Sequence, residues 1–456
     1  MKKILVAFVI LSVSFWIIFA QWDYKDKIQN FLNTYSSNLF LLHKLSDDLD
    51  AKLSDDYSTE QQEIISYFKQ ETDKKIDQIE EKESYMPKPH NIKALYYSAY
   101  ATSRDSKIDD IIDIAKDTEI NALVIDIKEI DGKTSFQFNS EDFWDIKPQS
   151  NNRISDISSI LTRLKENNIY TIGRIVVFKD NYLPQQRPDL AIKWSWDTNQ
   201  IWWDYKWNSY SDPASKEVWD YHIEMASAAY KLWFDEINFD YVRFPSDWYI
   251  SQTYYPKANS TLQENTKWGK MIVMDQFSEY VNKSLKELHP NIITSADVFW
   301  LVTNTNLFQI GQNLESFTLY FDYVAPMIYP SHYGAWYLGQ AIPDNAPYEI
   351  FYDSMKSAKT KIDTLNHKIS LAQSGTWEVL IQAAFQTSAD KNTLKHVDYD
   401  TIRPWLQGFH CSWCSWATEY NSYKFRRQID AIEDLWFNSG WYVWNASARY
   451  EKNWFK

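Results

Sequence analysis

Phe234-Asp235-Glu236-Ile237-Asn238-Phe239-Asp240-Tyr241-Val242-Arg243-Phe244-Pro245 reads as a strand with an unusual face. Successive strand side chains point to opposite sides, so Glu236, Asn238 and Asp240 share one face while Ile237, Phe239 and Tyr241 share the other. In a closed parallel barrel the inward face is normally filled with branched apolar side chains, and this strand breaks that rule. Outward from it, β-rich runs recur at Lys93–Ala99, Ala122–Ile127, Thr171–Phe178, Ile293–Val298, Tyr323–Ile328, Ile402–Phe409 and Trp441–Trp444. Between them lie amphipathic stretches at Ile108–Asp117, Ile154–Glu166, Ala214–Leu232, Trp268–Leu288, Tyr348–Thr364 and Tyr423–Leu435. Eight strands alternating with helices predict an α/β fold, a (β/α)8 TIM barrel. Asn181–Asp212 exceeds an ordinary connection and reads as an active-site loop, and Lys368–Asp400 reads as an insertion.

Further charges fall on inward positions. The second strand puts Asp126 and Lys128 on one face, the third puts Arg174 there, and the fifth ends at Asp297. Buried charges are costly unless paired, so Asp126, Lys128, Arg174, Glu236 and Asp240 are expected to form one compensated network. For Glu236, Lys128 and Arg174, mutual neutralisation without any catalytic role is an equal reading. Asp240 stands toward the carboxyl end of its strand, where barrel enzymes keep their chemistry. Glycoside hydrolysis commonly needs two carboxyl groups, one to donate a proton and one to act as nucleophile or to activate water. Asp240, Asp297 and, after the second strand, Glu129 are the candidates. Asp126, Lys128, Arg174, Glu236, Arg243, Tyr329, His332, Gln407 and Asn445 are candidates for binding hydroxyls or orienting a carboxylate.

Other chemistries lack their motifs. There is no GxSxG, HExxH or P-loop. Cys411 and Cys414, the two cysteines of the chain, form one CxxC pair where a structural zinc site wants four ligands, so a local disulfide or two free thiols is expected rather than a metal. The net charge of −14 argues against nucleic acid, which is held by clustered Lys and Arg. No cofactor is implied, and nothing points to a protein partner.

Several segments, taken in order, resemble the Putative glycosyl hydrolase domain family. Besides the fourth strand they are Val124-Ile125-Asp126-Ile127-Lys128, Gly173-Arg174-Ile175-Val176-Val177-Phe178, Asp297-Val298-Phe299, Met327-Ile328-Tyr329-Pro330-Ser331-His332-Tyr333, Arg403-Pro404-Trp405-Leu406-Gln407 and Trp444-Asn445-Ala446-Ser447. The resemblance runs from about residue 92 to 450 and implies a TIM barrel related to the α-amylase-like glycosidases. It makes Asp240 the nucleophile, and it places the acid at Asp297, where an amylase-like enzyme would carry Glu. The implied substrate is a polysaccharide or oligosaccharide of the envelope or environment. The rival reading is a non-catalytic surface protein that binds glycan or scaffolds the envelope with the same barrel.

The amino-terminal residues suggest export. Lys2 and Lys3 precede an apolar run from Ile4 to Ala20 broken only by Ser12 and Ser14, with no small-x-small pair before a cut. Residues 1–21 therefore read as an uncleaved signal anchor with the rest extracytoplasmic, the alternative being a cleaved signal peptide and secretion. Residues 22–88 read as a coiled-coil-like helical stalk or hairpin with a thin apolar stripe, ending in the linker Met86-Pro87-Lys88-Pro89, and residues 89–456 as the barrel.

Composition adds one anomaly. The chain has 9 glycines where average usage of roughly 7% gives about 32, and it has 22 tryptophans. Trp233, Trp248, Trp300, Trp336 and Trp436 stand where turns are expected. Sugar-stacking platforms, core filling and UGA codons read as glycine in the cell all compete as explanations. Only the last also accounts for missing glycine, so it ranks first at the turns, while Trp219, Trp405, Trp441 and Trp444 read as genuine.

Overall fold

The computed structural model describes residues 25, 28, 32, 39–53, 58–84, 90–246, 249–264, 267–373, 394–412, 414 and 418–456. The expected signal anchor, the linker at Met86–Pro89, Trp248 and much of the expected insertion lie outside them. Among the described residues no helix is long and apolar enough to cross a membrane. The chain divides into Met1–Lys88 and Pro89–Lys456.

In the first unit, α1 (Leu39–Leu53) packs on α2 (Thr59–Ser84). The thin stripe is enough for a small core of its own. Leu42, Leu45 and Leu49 of α1 are buried with Ile65, Phe68 and Ile76 of α2 and with Ile28 and Leu32. Ser46 Oγ donates to Asp73 at 2.7 Å beside that core, and Lys69 pairs with both Asp50 and Asp73.

The second unit is built on β1 (Ile92–Tyr97), β2 (Ala122–Lys128), β3 (Tyr170–Val176), β4 (Lys193–Trp194), β5 (Asp197–Ile201), β6 (Glu236–Asp240), β7 (Thr253–Tyr254), β8 (Ile293–Phe299), β9 (Tyr323–Ile328), β10 (Trp405–Gln407) and β11 (Gly440–Trp444). Eight of them close into a barrel in the order β1-β2-β3-β6-β8-β9-β10-β11, each parallel to its neighbours, and β11 pairs again with β1. The expected α/β barrel is the observed one. Period-two alternation sorts the strand side chains into two layers. Ala94, Tyr96, Ala122, Val124, Ile172, Ala325, Trp405 and Tyr442 meet inside the barrel, while Leu95, Leu123, Ile125, Ile175 and Ile237 join the shell packed under the helices.

Three departures from the expected pattern have local causes. The register between β2 and β3 shifts after Asp126, so Lys128 pairs with the outward Ile175 instead of continuing the inward row. The helix expected over Tyr348–Thr364 runs from Pro347 to Gln373, into the segment taken for an insertion, because Ile362, Leu365, Ile369 and Ala372 continue its buried stripe. The long loop after β3 has structure of its own, since β4 and β5 pair antiparallel there and β7, from the loop after β6, adds to β4.

Among the described residues four tryptophans have positive φ: Trp207 (60°), Trp233 (79°), Trp336 (70°) and Trp436 (62°). Trp300 stands at a turn as expected, opening the 3-10 turn Trp300–Thr303, without a positive φ. Trp233 and Trp436 each stand just past the last residue of a barrel helix. At the first, Trp233 N–H bonds the carbonyl of Tyr230 and Phe234 N–H that of Ala229; at the second, Trp436 bonds Glu433 and Phe437 bonds Ile432. This double bond pattern requires a left-handed residue, almost always glycine, at the position each Trp occupies. The Trp436 indole is 79% exposed and recovers little burial for the strain, and that of Trp233 is 43% exposed with the Lys165 ammonium 5.5 Å from its ring. Trp233→Gly and Trp436→Gly are each expected to stabilise the chain by about 1 kcal/mol, read from the denaturant midpoint at unchanged slope.

Candidate active site

Four inward charges converge at the carboxyl end of the barrel. Arg174, on β3, donates from Nη1 to Asp126 Oδ1 at 2.6 Å and from Nε to Asp240 Oδ2 at 3.1 Å, with a second bond from Nη2 to the same Asp240 oxygen. Its Nε is also 3.9 Å from Asp297 Oδ2. Pairing of β6 with β8 brings Phe239 opposite Ala296, which carries Asp240 and Asp297 to one level. Two oxygens at 3.1 and 3.9 Å from one Nε cannot be further apart than the sum of those distances. That bound lies inside the upper limit of about 9.5 Å for paired glycosidase carboxyls.

The two carboxyls have different partners. Asp240 accepts the two Arg174 bonds on Oδ2 and the backbone N–H of Tyr241 on Oδ1 at 2.6 Å. Asp297 accepts from Trp405 Nε1 at 2.6 Å and Asn238 Nδ2 at 2.9 Å. Burial, and then the negative charge of Asp240, push Asp297 well above the usual carboxylate range. Asp126, which accepts from Tyr96 Oη at 2.5 Å, is raised as well, by burial. Both members of the close pair are nearly enclosed, Asp240 at 5% exposure and Asp297 at 2%. Glu129, beyond β2, is half-buried and ion-paired to Arg153 at 2.6 Å, and burial raises its pKa too.

The expected single network is in fact three. Glu236 begins β6 and lies at the amino end of the barrel, where it accepts from Arg403 Nη1 at 2.8 Å and Tyr442 Oη at 2.7 Å. The Arg403 guanidinium rests 3.4 Å from the ring centre of Tyr323. Lys128, turned outward by the register shift, pairs with Asp180 at 2.7 Å and donates to the Val176 carbonyl at 2.7 Å. Neither Glu236 nor Lys128 touches the Arg174 cluster.

The remaining candidates divide between rim and loop. Arg243 lies 4.9 Å from the ring of Tyr241 and 5.4 Å from that of Phe299, beside the residues that follow the two carboxylates, and it donates to Phe244 O and Ser246 Oγ. Tyr329 joins the barrel interior, its hydroxyl pushed up by burial and by Asp297 and Asp240. His332 packs edge-on to Tyr329 at 5.2 Å and is held neutral by burial. Gln407 and Asn445 are occupied with loop structure. Gln407 accepts from Ser331 N–H and donates to Asp344 and Phe409, and Asn445 bonds Gly408, Arg449 and Ser447.

Three site residues escaped the sequence reading: Tyr96, Asn238 as a donor, and Trp405 as a donor. Tyr96 stacks on Trp444 at 4.0 Å, and the Arg174 guanidinium lies 5.3 Å from the Trp444 ring. Inward alternation of the first strand would have found Tyr96. The Trp405 indole N–H carried no signal, because a tryptophan in a buried run reads as core.

A family model described as Putative glycosyl hydrolase domain matches residues 94–450. No curated protein matches the chain. Among solved structures, a hypothetical protein from Ruminiclostridium thermocellum ATCC 27405 is 31% identical, with 45% of this chain and 97% of that one covered and a TM-score of 0.38. The PgaB (BpsB) glycoside hydrolase domain from Bordetella bronchiseptica is 12% identical at a TM-score of 0.50, covering 78% and 94%. The spore cortex-lytic enzyme SleL from Bacillus megaterium QM B1551 is 12% identical at 0.43, covering 81% and 73%. The likeness to the Bordetella domain is one of fold.

Glu236→Ala leaves the fully buried Arg403 without its counter-charge, so it should destabilise the fold by about 3–5 kcal/mol in urea denaturation. Glu236→Ala with unchanged stability would remove the amino-end network from the barrel's support.

Proposed function

The chain belongs to the Putative glycosyl hydrolase domain family, and from that membership we propose that it is an exported glycoside hydrolase acting on an envelope or environmental polysaccharide. The observation that carries the proposal is the unlike setting of two neighbouring carboxyls, Asp240 clasped by Arg174 and Asp297 pushed up by burial beside it. Carboxyl groups driven apart in this way divide into a base or nucleophile and a proton donor. Asp240 attacks the anomeric carbon or deprotonates water, and Asp297 gives its proton to the departing oxygen. Glu129, also raised and nearer solvent, is the alternative donor. The disulfide between Cys411 and Cys414 supports an oxidising, extracytoplasmic compartment. Tethering would come through the apolar run Ile4–Ala20.

Tryptophan at the left-handed helix ends supports a second proposal, that UGA codons specify glycine at the turn positions. TGG codons at 233 and 436 in the coding DNA would end that idea.

Asp240→Asn keeps the shape and removes the charge, so turnover on a cleavable glycan should fall by on the order of 10²- to 10⁴-fold while binding survives. Unchanged turnover eliminates Asp240, and loss of folding instead assigns it to a structural network. A wild-type chain that binds glycans and cuts none is the non-catalytic surface protein. The donor must be protonated to act, so activity is expected below its raised pKa and is lost as pH rises through it. Asp297→Asn should abolish that alkaline limb and Glu129→Gln should leave it; the reverse result makes Glu129 the acid.

A further inference from the structure

The loop between β3 and β6, joined by the loop after β6, carries a cleft of about 750 Å³ lined by Trp194, Tyr205 and Trp207 from the first and Tyr249 from the second, together with Asn199 and Gln200. Trp194 is centred 6.1 Å from Tyr249 and 5.5 Å from Trp196, and Tyr205 and Trp207 supply two further rings to the same cleft. They are also open to solvent, Tyr205 and Tyr249 being about half exposed. Among the described lining residues Asp204 alone is charged, and its carboxylate accepts from Asn208 and from the backbone of Lys206.

We propose that this cleft is a second subsite for a neutral glycan chain, which stacks sugar rings on Tyr205, Tyr249 and Trp194 and bonds hydroxyls through Asn199 and Gln200. The apolar faces of a pyranose suit flat aromatic surfaces, and the amides suit hydroxyls that keep their hydrogen bonds on leaving water. The described lining residues include no Lys or Arg, where a nucleic acid or anionic polymer needs cations along its length; the Lys206 ammonium, 5.1 Å from the Tyr205 ring, lies against one of the platforms. The cleft is joined to the catalytic end of the barrel. Lys179 Nζ is 4.0 Å from Asp204 and 5.1 Å from the ring of Tyr241, the residue after Asp240. A chain held here would lie beside the carboxylates rather than across them. The nature of the ligand rests on the hydrolase reading; the existence of the subsite is tested separately.

The test is affinity electrophoresis of the full chain carrying Asp240→Asn, in gels containing laminarin, galactomannan or glycol chitin, with hyaluronate as the anionic control. At least one neutral polymer should retard migration and hyaluronate should not. Adding Tyr205→Ala and Tyr249→Ala should weaken the affinity about tenfold or more at unchanged melting temperature. These residues are tyrosines however the tryptophan codons are read. Retardation as strong without the two rings, or no retardation by any neutral polymer, overturns the subsite. If the double variant unfolds, Asn199→Ala with Gln200→Ala decides, and unchanged affinity there overturns it as well. Failure of the hydrolase reading would look different: the wild type cuts nothing while ring-dependent retardation stands.

Discussion

One guanidinium among three buried carboxyls governs the carboxyl end of this barrel. Arg174 contacts Asp126, Asp240 and Asp297, and all four side chains are nearly excluded from water. One positive charge cannot compensate three negative ones in such surroundings, so the cluster holds at least one proton under conditions where free carboxyls would have lost theirs. The raised values of Asp126 and Asp297 are two expressions of that imbalance. A carboxyl pushed up by burial beside one clasped by a guanidinium is the unlike pairing on which the proposed acid–base chemistry rests.

The amino end of the same barrel solves the opposite problem. Glu236 and Arg403 are fully buried and matched one to one, and Tyr442 bonds both. Ala94, Ala122, Val124, Ile172 and Ala325 fill the rest of the interior around the two polar groups. A balanced pair braces one end while the other keeps its imbalance. The segments after β3 and β6 both line the aromatic cleft, and the second turns at Tyr241, whose positive φ of 55° accompanies the N–H bond to Asp240.

Much of this was legible in the residues. All eight barrel strands lie within a few residues of the runs read from β-rich composition, because alternation and burial are local properties of the chain. The inward assignment of Asp126, Arg174, Glu236, Asp240 and Asp297 follows from the same period of two. Composition also exposed the tryptophan anomaly, whose physical meaning at Trp233 and Trp436 emerged once their φ angles and helix-end bonds were known.

Partner choice was not legible, and the reason is geometric. Glu236 and Asp240 share a face, yet four residues of strand separate them by about 13 Å, so they belong to different ends of the barrel and different networks. Lys128 leaves the inward row because the β2–β3 register slips by one residue, a consequence of how two distant segments pair. Trp405 reaches Asp297 past the intervening β9, and Tyr96 reaches Asp126 on the adjoining β2, through contacts set by strand order and register. The sequence by itself determined which elements form and, Lys128 apart, which charged side chains face inward, since both depend mainly on neighbours along the chain. The tertiary structure alone decided which charges meet, because closure and register join residues that nothing local connects.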